Sequence, residues 1–371
     1  MSVPLLDLAP QYRALQGEFD AAVARVATSQ HFIMGPEVNA FESEVGAFLG
    51  AEHAIGCASG SDALLLALWA LGIGPGDEVI TTAFTFFATA GAVARLGATP
   101  VFVEIDAATY NIDPAAIEAA ITPRTRAIIP VHLFGLPADM DAINAIAAKH
   151  DLRVIEDAAQ SIGATLHGAQ TGTLGELGCF SFFPSKNLGA WGDGGLVTSM
   201  TEDIAEVVRQ LRVHGNYPRK YYHARVGCNS RLDALQAAVL RVKLPHLAGW
   251  GAARRARIAG YKARIEAAGI ADQITFQHVP QGCVPVYHQC VIRVPRRDAL
   301  LAHLKARGIG CAVYYPRPLH LQECFADLGQ GLGALPITEQ ACEEVIALPI
   351  FPELTGDQQD LVVAALAEFL A

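Results

Sequence analysis

CFSFFPSKNLGAWGDGG, residues 179–195, decides how the rest of the chain is read. Its first seven residues alternate aromatic and small side chains, as a buried strand does, and Lys186 follows at the strand's end. Gly189, Gly192, Gly194 and Gly195 then make a turn into a second apolar run, GGLVTSM, 194–200. A lone lysine is ordinarily a solvated surface residue. One set beside an apolar strand can be desolvated and become nucleophilic, and the glycines leave room for a flat ring.

Working outward, five more apolar runs precede this pair: 53–59, 77–84, 99–105, 125–133 and 152–159. Helical patterns at 62–71, 88–96, 114–121 and 140–150 fall between them. Repeated βα units predict an α/β fold with a seven-stranded, mostly parallel sheet covered on both faces. Ligands of such sheets collect at the carboxyl ends of the strands. An N-terminal arm and helix (10–30) and a second helix (37–49) come before the sheet. Helices at 231–247 and 249–266 follow it, then a small α+β unit with a helix at 298–307, a strand at 310–315 and a closing helix at 356–370. The predicted division is 1–248 for the arm and large domain and 249–371 for the small C-terminal domain.

Two other strand ends carry chemistry. In ASGSDALLLALWAL, 58–71, a strand turns through Gly60 and Ser61 into a helix, with Ser61 or Asp62 expected as its N-cap. Free N–H groups and the helix dipole suit a phosphate there, although an ordinary capped turn reads the same way. In IEDAAQSIGA, 155–164, Asp157 ends a very apolar strand. A carboxylate so placed needs a cationic partner, and the protonated pyridine nitrogen of pyridoxal phosphate is one; capping the next turn is the alternative.

The chain has 371 residues, 52% hydrophobic and 17% charged, enough for a large core. A net charge of −10 excludes a general attraction for nucleic acid or anionic membrane. Eight cysteines show no CxxC spacing and twelve histidines no metal spacing, so no metal site is expected and the thiols read as buried and reduced. The N-terminal MSVPLLDLAPQYRAL lacks a basic region followed by a long apolar core, and no apolar run is long enough to span a membrane; a cytoplasmic protein is expected. One segment departs from the acidic balance: from Arg209 to Arg231 there are six Arg or Lys, two His and no acid. It reads as an exposed basic loop or as a loop facing an anion, with Arg231 the best single candidate. The basic helix at 254–264 reads as a solvated face.

Phosphate turn, acid and lysine occur in the order found in fold-type I pyridoxal-phosphate enzymes of the aspartate aminotransferase type. The chain resembles the DegT/DnrJ/EryC1/StrS family of sugar aminotransferases over essentially its whole length. The resemblance is carried by FIMGPEVNAFE, CASGSDAL, GDEVITTAFTFFAT, PVHLFG, VIEDAAQSIGA, FSFFPSKNLGAWGDGG, KYYHARVGCNSRLDALQAAVL and VYYPRPLH. It implies that Lys186 carries the cofactor (PLP, alternating with PMP) as a Schiff base and shuttles the proton. It further implies that Asp157 pairs with the ring nitrogen, Gln160 with the ring hydroxyl, and that Phe86 stacks on the ring. Gly60, Ser61 and Ser181 would hold the phosphate, and Asn229 would reach it from the second subunit of a homodimer with shared sites. Ser61 stands where many members have Thr, which keeps a hydroxyl. Tyr314 and His320 match a segment near the sugar. The implied substrates are a keto sugar on a nucleotide diphosphate, closest to the 3-oxo branch, and L-glutamate as amino donor. A sugar dehydratase of the same fold is an alternative, but those relatives carry histidine where Lys186 stands. A non-catalytic regulatory or binding member is the other.

Overall fold

In a computed structural model, which describes residues 2–216 and 219–371, all seven predicted strands form one sheet. They are β1 (His53–Cys57), β2 (Glu78–Thr82), β3 (Thr99–Val103), β4 (Thr125–Ile129), β5 (Arg153–Asp157), β6 (Leu177–Ser181) and β7 (Gly195–Ser199). Their spatial order is β1-β7-β6-β5-β4-β2-β3, with β7 antiparallel to both its neighbours and the other pairs parallel.

Strand residues alternate between two cores because successive side chains point to opposite faces. Cys179, Val197 and Ile155 pack with α3 (Gly60–Ala70), α4 (Ala88–Arg95) and α7 (Glu202–Leu211). Phe180 and Leu196 pack on the other face with α1 (Ala9–Ser29), α2 (Pro36–Leu49) and α8 (Ala234–Lys243). Near the far edge, Ile80, Ile128 and Val154 meet α5 (Pro114–Ala120) and α6 (Met140–His150). The apolar runs are near-continuous for this reason: both faces are dry.

The helix predicted to end near Pro245 passes through a 3-10 turn, Leu244–His246, straight into α9 (Leu247–Ala267). A second sheet, Thr275–Phe276, Cys290–Arg293 and Val345–Leu348, packs with α9, α10 (Arg297–Ala306) and α11 (Gly356–Leu370) around one apolar cluster. Val3 belongs to the same cluster and pairs with Ile309, so the N-terminal arm lies on this C-terminal unit. The strand expected at 310–315 is reduced to a single bridge, Ala312 to Ala347. Pro316 and Pro318 remove the donors a longer ladder would need. The solvated face expected at 254–264 also fails at Arg254, which is 3% exposed.

Among the described residues no helix is long and apolar enough to cross a membrane, and no group of three His, Cys, Asp or Glu is placed to hold a metal. All eight cysteines are free; five are buried, Cys228 and Cys283 are half-buried, and Cys324 is exposed, against the expectation that all lie inside.

Candidate active site

The carboxyl ends of β1, β5 and β6 converge, as the topology requires, and the three sequence signals meet there. After β6 the chain makes a closed loop: Phe182 N–H donates to Gly194 O, Ala190 N–H to Phe182 O and Lys186 N–H to Phe183 O, each at 2.8 Å. Gly189 is needed for this closure, since a Cβ there would stand 2.3 Å from Pro184 O. Lys186 is half-buried within the loop. Desolvation pushes its amine down to about 8, against the pull of the Asp157 carboxylate.

Asp157 closes β5 and is 5% exposed. Its Oδ2 accepts from Thr89 Oγ1 at 2.7 Å and its Oδ1 from Ala159 N–H at 3.2 Å. Thr89 in turn lies 3.0 Å from Thr85 Oγ1, so its hydroxyl is oriented from behind. Burial still raises the carboxyl above its ordinary value, despite Thr89, Ala159 and Lys186, which all favour the anion. This buried acid is short of positive charge, which is the property a pyridinium nitrogen would correct.

Gln160 is oriented. Phe134 N–H donates to its Oε1 at 2.7 Å, which leaves Nε2 to donate to Tyr315 Oη at 3.0 Å. Phe86 is 57% exposed with its ring 6.4 Å from that of Tyr315, an open aromatic face at the mouth of the site. Next to Asp157, but on the opposite face of β5, Glu156 is fully buried. It accepts from Gly172, Leu174 and Gly175 N–H, each at 2.7 Å, and from His132 Nε2 at 2.8 Å. His132 Nδ1 accepts from Ala138 N–H, so the imidazole proton sits on Nε2. This network stiffens the strand end from behind.

The expected N-cap moves. Ser59, not Ser61 or Asp62, caps α3: its backbone is extended and its side chain accepts from Asp62 N–H. Gly60 and Ser61 therefore occupy the first turn, whose N–H groups precede the intrahelical bonds and point outward. Ser181 lies against them, and a Cβ on Gly60 would come within 2.6 Å of Ser181 Cβ and 3.1 Å of its Oγ. Two N–H groups, a serine hydroxyl and a helix N-terminus are the kind of donors a phosphate takes. Donors, acid and lysine together fit pyridoxal phosphate.

The remaining candidates are less gathered. Asn229 is exposed in the single chain and bridges Val213 through its backbone. Arg231 is half-buried, and its Nε is buried with no partner among the described residues. Its neighbour Ser230 accepts from Ala58 N–H at 3.2 Å, which ties Arg231 to the β1–α3 turn. The 209–231 stretch is not one anion-facing loop. Arg209 pairs with Glu202, and Arg212 is buried on Glu42 and Gly56 O, because these two sit on or beside α7 and serve the fold. Arg219 lies over Tyr222 and Arg225 donates to Gln210; Tyr217 and Pro218 lie outside the described residues. Tyr314 lines a cavity of about 50 Å³ with Ser185 and His288. His320 is buried, and its partner is Glu339 (Nε2 to Oε1, 3.0 Å) rather than a group of the lysine pocket; its Nδ1 has no partner among the described residues.

Sequence reading missed Thr85, Thr89, Tyr315 and His288. Thr85 lies in the bend before the helix Ala88–Arg95 and Thr89 in its first turn, so no helical spacing announced their contact.

A model of the DegT/DnrJ/EryC1/StrS aminotransferase family matches residues 13–367. The chain is 53% identical to a pleiotropic regulatory protein of Geobacillus stearothermophilus, over 100% of this chain and 99% of that one. It is 49% identical to a UDP-N-acetyl-3-dehydro-alpha-D-glucosamine 3-aminotransferase of Acidithiobacillus ferrooxidans, over 96% of this chain and 95% of that one. Among solved structures, S. venezuelae DesV in complex with a ketimine intermediate superposes with a TM-score of 0.96 at 45% identity, covering 100% of this chain and 98% of that one.

Proposed function

The chain belongs to the DegT/DnrJ/EryC1/StrS aminotransferase family, and from that premise we propose that it transfers an amino group from L-glutamate to a 3-oxo sugar carried on a nucleotide diphosphate, using pyridoxal phosphate. The observation that carries this is the meeting of Lys186, with its amine near 8, and the charge-deficient carboxylate of Asp157 at two adjacent strand ends.

The cofactor, when bound, supplies an electron sink for the carbon that exchanges its amine. The chain's own groups do the rest. Gly60, Ser61 and Ser181 hold the phosphate, and Asp157 keeps the ring nitrogen protonated. Gln160, fixed by Phe134 and Tyr315, directs its Nε2 to the ring hydroxyl, and Phe86 covers the ring face. Lys186 Nζ takes a proton at one carbon and returns it at another, which an amine near 8 does at neutral pH without a large mismatch. Tyr314, which lines the cavity beside Ser185, serves the sugar; His320, 1% exposed and held by Glu339, does not face it. A protein with eight unpaired thiols and no membrane-spanning helix among its described residues suits the cytoplasm.

Arg231 is assigned to the diphosphate. A buried guanidinium nitrogen without a partner calls for an anion. Assayed in reverse, with amino-sugar nucleotides and 2-oxoglutarate, the purified protein is expected to turn over. Arg231→Ala is expected to lose about 2–3 kcal/mol, roughly thirty- to a hundredfold in kcat/KM, with the sugar nucleotide. Its glutamate half-reaction is expected to change far less. Equal losses in both half-reactions, read by single-turnover absorbance, would assign Arg231 to the cofactor or the donor carboxylate. The name of the Geobacillus relative favours a regulatory reading, and cofactor uptake without turnover on any nucleotide sugar would support it.

Asn229 is assigned to the phosphate of a second copy on the family resemblance, and its exposure in the single chain is compatible with that role. The protein is then a homodimer with shared sites. Mixing Lys186→Ala with a disabling Asn229 variant is expected to restore activity, since one composite site in each heterodimer is intact. No recovery after verified subunit exchange would place each site within one chain.

A further inference from the structure

Asn187, next to the lysine, is 8% exposed and uses both ends of its amide on the segment that enters the small sheet. Its Nδ2 donates to Val286 O at 3.1 Å, and its Oδ1 lies 3.3 Å from His288 Nδ1. The first bond identifies the amide's ends, so Oδ1 must accept and His288 must carry its proton on Nδ1. His288 stays neutral: burial first, then the charges of Lys186 and Arg254, hold its imidazolium well below the ordinary range.

Residues 286–288 are themselves clamped. Val286 N–H donates to Gly135 O at 3.0 Å. Arg254 donates from Nη1 to the carbonyls of Tyr287 (3.1 Å), His288 (3.3 Å) and Ile350 (3.2 Å). Gly135 follows Phe134, whose N–H orients Gln160. The same short segment is therefore fastened to the lysine turn on one side and to the turn that aims Gln160 on the other. A buried amide between two such partners is costly if either is lost, which makes the junction specific in a way an apolar contact is not.

We propose that Asn187 is a positioning residue that locks the Lys186 turn onto the clamped segment Val286–His288, so that the small sheet's incoming strand sets where the lysine amine stands. This rests on the reading of Lys186 given above. The groups facing that amine are Asp157 from β5, which favours its charge, and His288, which is neutral.

The test uses cofactor-free full-length protein and trace acylation with acetic anhydride from pH 6 to 10, read at the Lys186 peptide by mass spectrometry. The wild-type midpoint is expected near 8. Asn187→Ala lets the turn loosen and water reach the amine, so the midpoint is expected to rise by at least about one unit, a tenfold loss of reactivity at pH 7. A folded Asn187→Ala with the wild-type midpoint and a lower unfolding temperature would overturn the proposal, since a packing role predicts that outcome. If Asn187→Ala does not fold, the His288 pair decides. His288→Phe removes the donor and is expected to raise the midpoint, whereas His288→Asn places an amide N–H where Nδ1 stood and is expected to restore it. Equal midpoints in the two His288 variants would overturn the proposal. Failure of the Lys186 reading shows separately, as a borohydride-fixed adduct on another lysine of the wild-type protein.

Discussion

Lys186→Ala is expected to lose at least about 10⁴-fold in turnover while still taking up the amine form of the cofactor. Proton transfer by a positioned group accounts for the upper part of the usual 10²–10⁴ range, and in the proposed role the same amine would also hold the cofactor covalently, so both contributions would vanish together. Uptake should survive because the proposed phosphate cradle of Gly60, Ser61 and Ser181 and the carboxylate of Asp157 do not depend on Nζ. The sharp comparison is with Lys243, whose amine burial also pushes down to about 8. Lowered basicity alone does not choose between the two. Lys243 Nζ donates to Gly189 O, and no carboxylate opposes its desolvation; Lys186 feels Asp157 at the end of the neighbouring strand. Borohydride reduction of the loaded wild-type protein should therefore fix the cofactor to Lys186. An adduct mapped to Lys243 would sink the assignment.

The large sheet was legible because its signals are local. Each strand is a short dry run between turn residues, and the helices that cover it announce themselves by period. Lys186 and Asp157 were legible as candidates for a related reason: a charged residue at the end of an apolar run conflicts with its surroundings, and such conflicts collect at functional sites. What stayed hidden depends on contacts between distant residues. Thr89 meets Asp157 from 68 positions away, and Gln160 meets Tyr315 from 155. Arg254 looks like one more charge on a basic helix until the carbonyls of Tyr287, His288 and Ile350 are brought to it. The Ser59 cap was missed by two residues, because ASGSD holds three residues able to cap and only the extended backbone of Ser59 selects among them.

Asp157→Asn is expected to fold, to bind the cofactor, and to lose on the order of a hundredfold in the glutamate half-reaction. An ion pair with a carboxylate moves a partner's pKa by about 1–3 units, so removing it cuts the protonated fraction of the ring nitrogen by roughly ten- to a thousandfold at fixed pH. The amide keeps the size of the side chain, offers its oxygen to Ala159 N–H and its NH2 to Thr89 Oγ1, whose hydroxyl then turns to Thr85, so geometry is conserved while charge is lost. Stability separates these effects. Burial raises the Asp157 carboxyl above its unfolded value, so in cofactor-free protein the folded state holds this proton more tightly than the unfolded state. Stability from this group is full below the unfolded value and falls as pH rises through the folded one, so at neutral pH the wild-type protein carries a penalty that the amide lacks. Cofactor-free Asp157→Asn should then melt at or above the wild-type temperature at pH 7. The wild-type protein should gain more on loading than the variant does, because only a carboxylate is relieved by a cationic ring. A half-reaction rate equal to wild type, or an equal gain in unfolding temperature on loading, would show that Asp157 does not hold the ring nitrogen's charge.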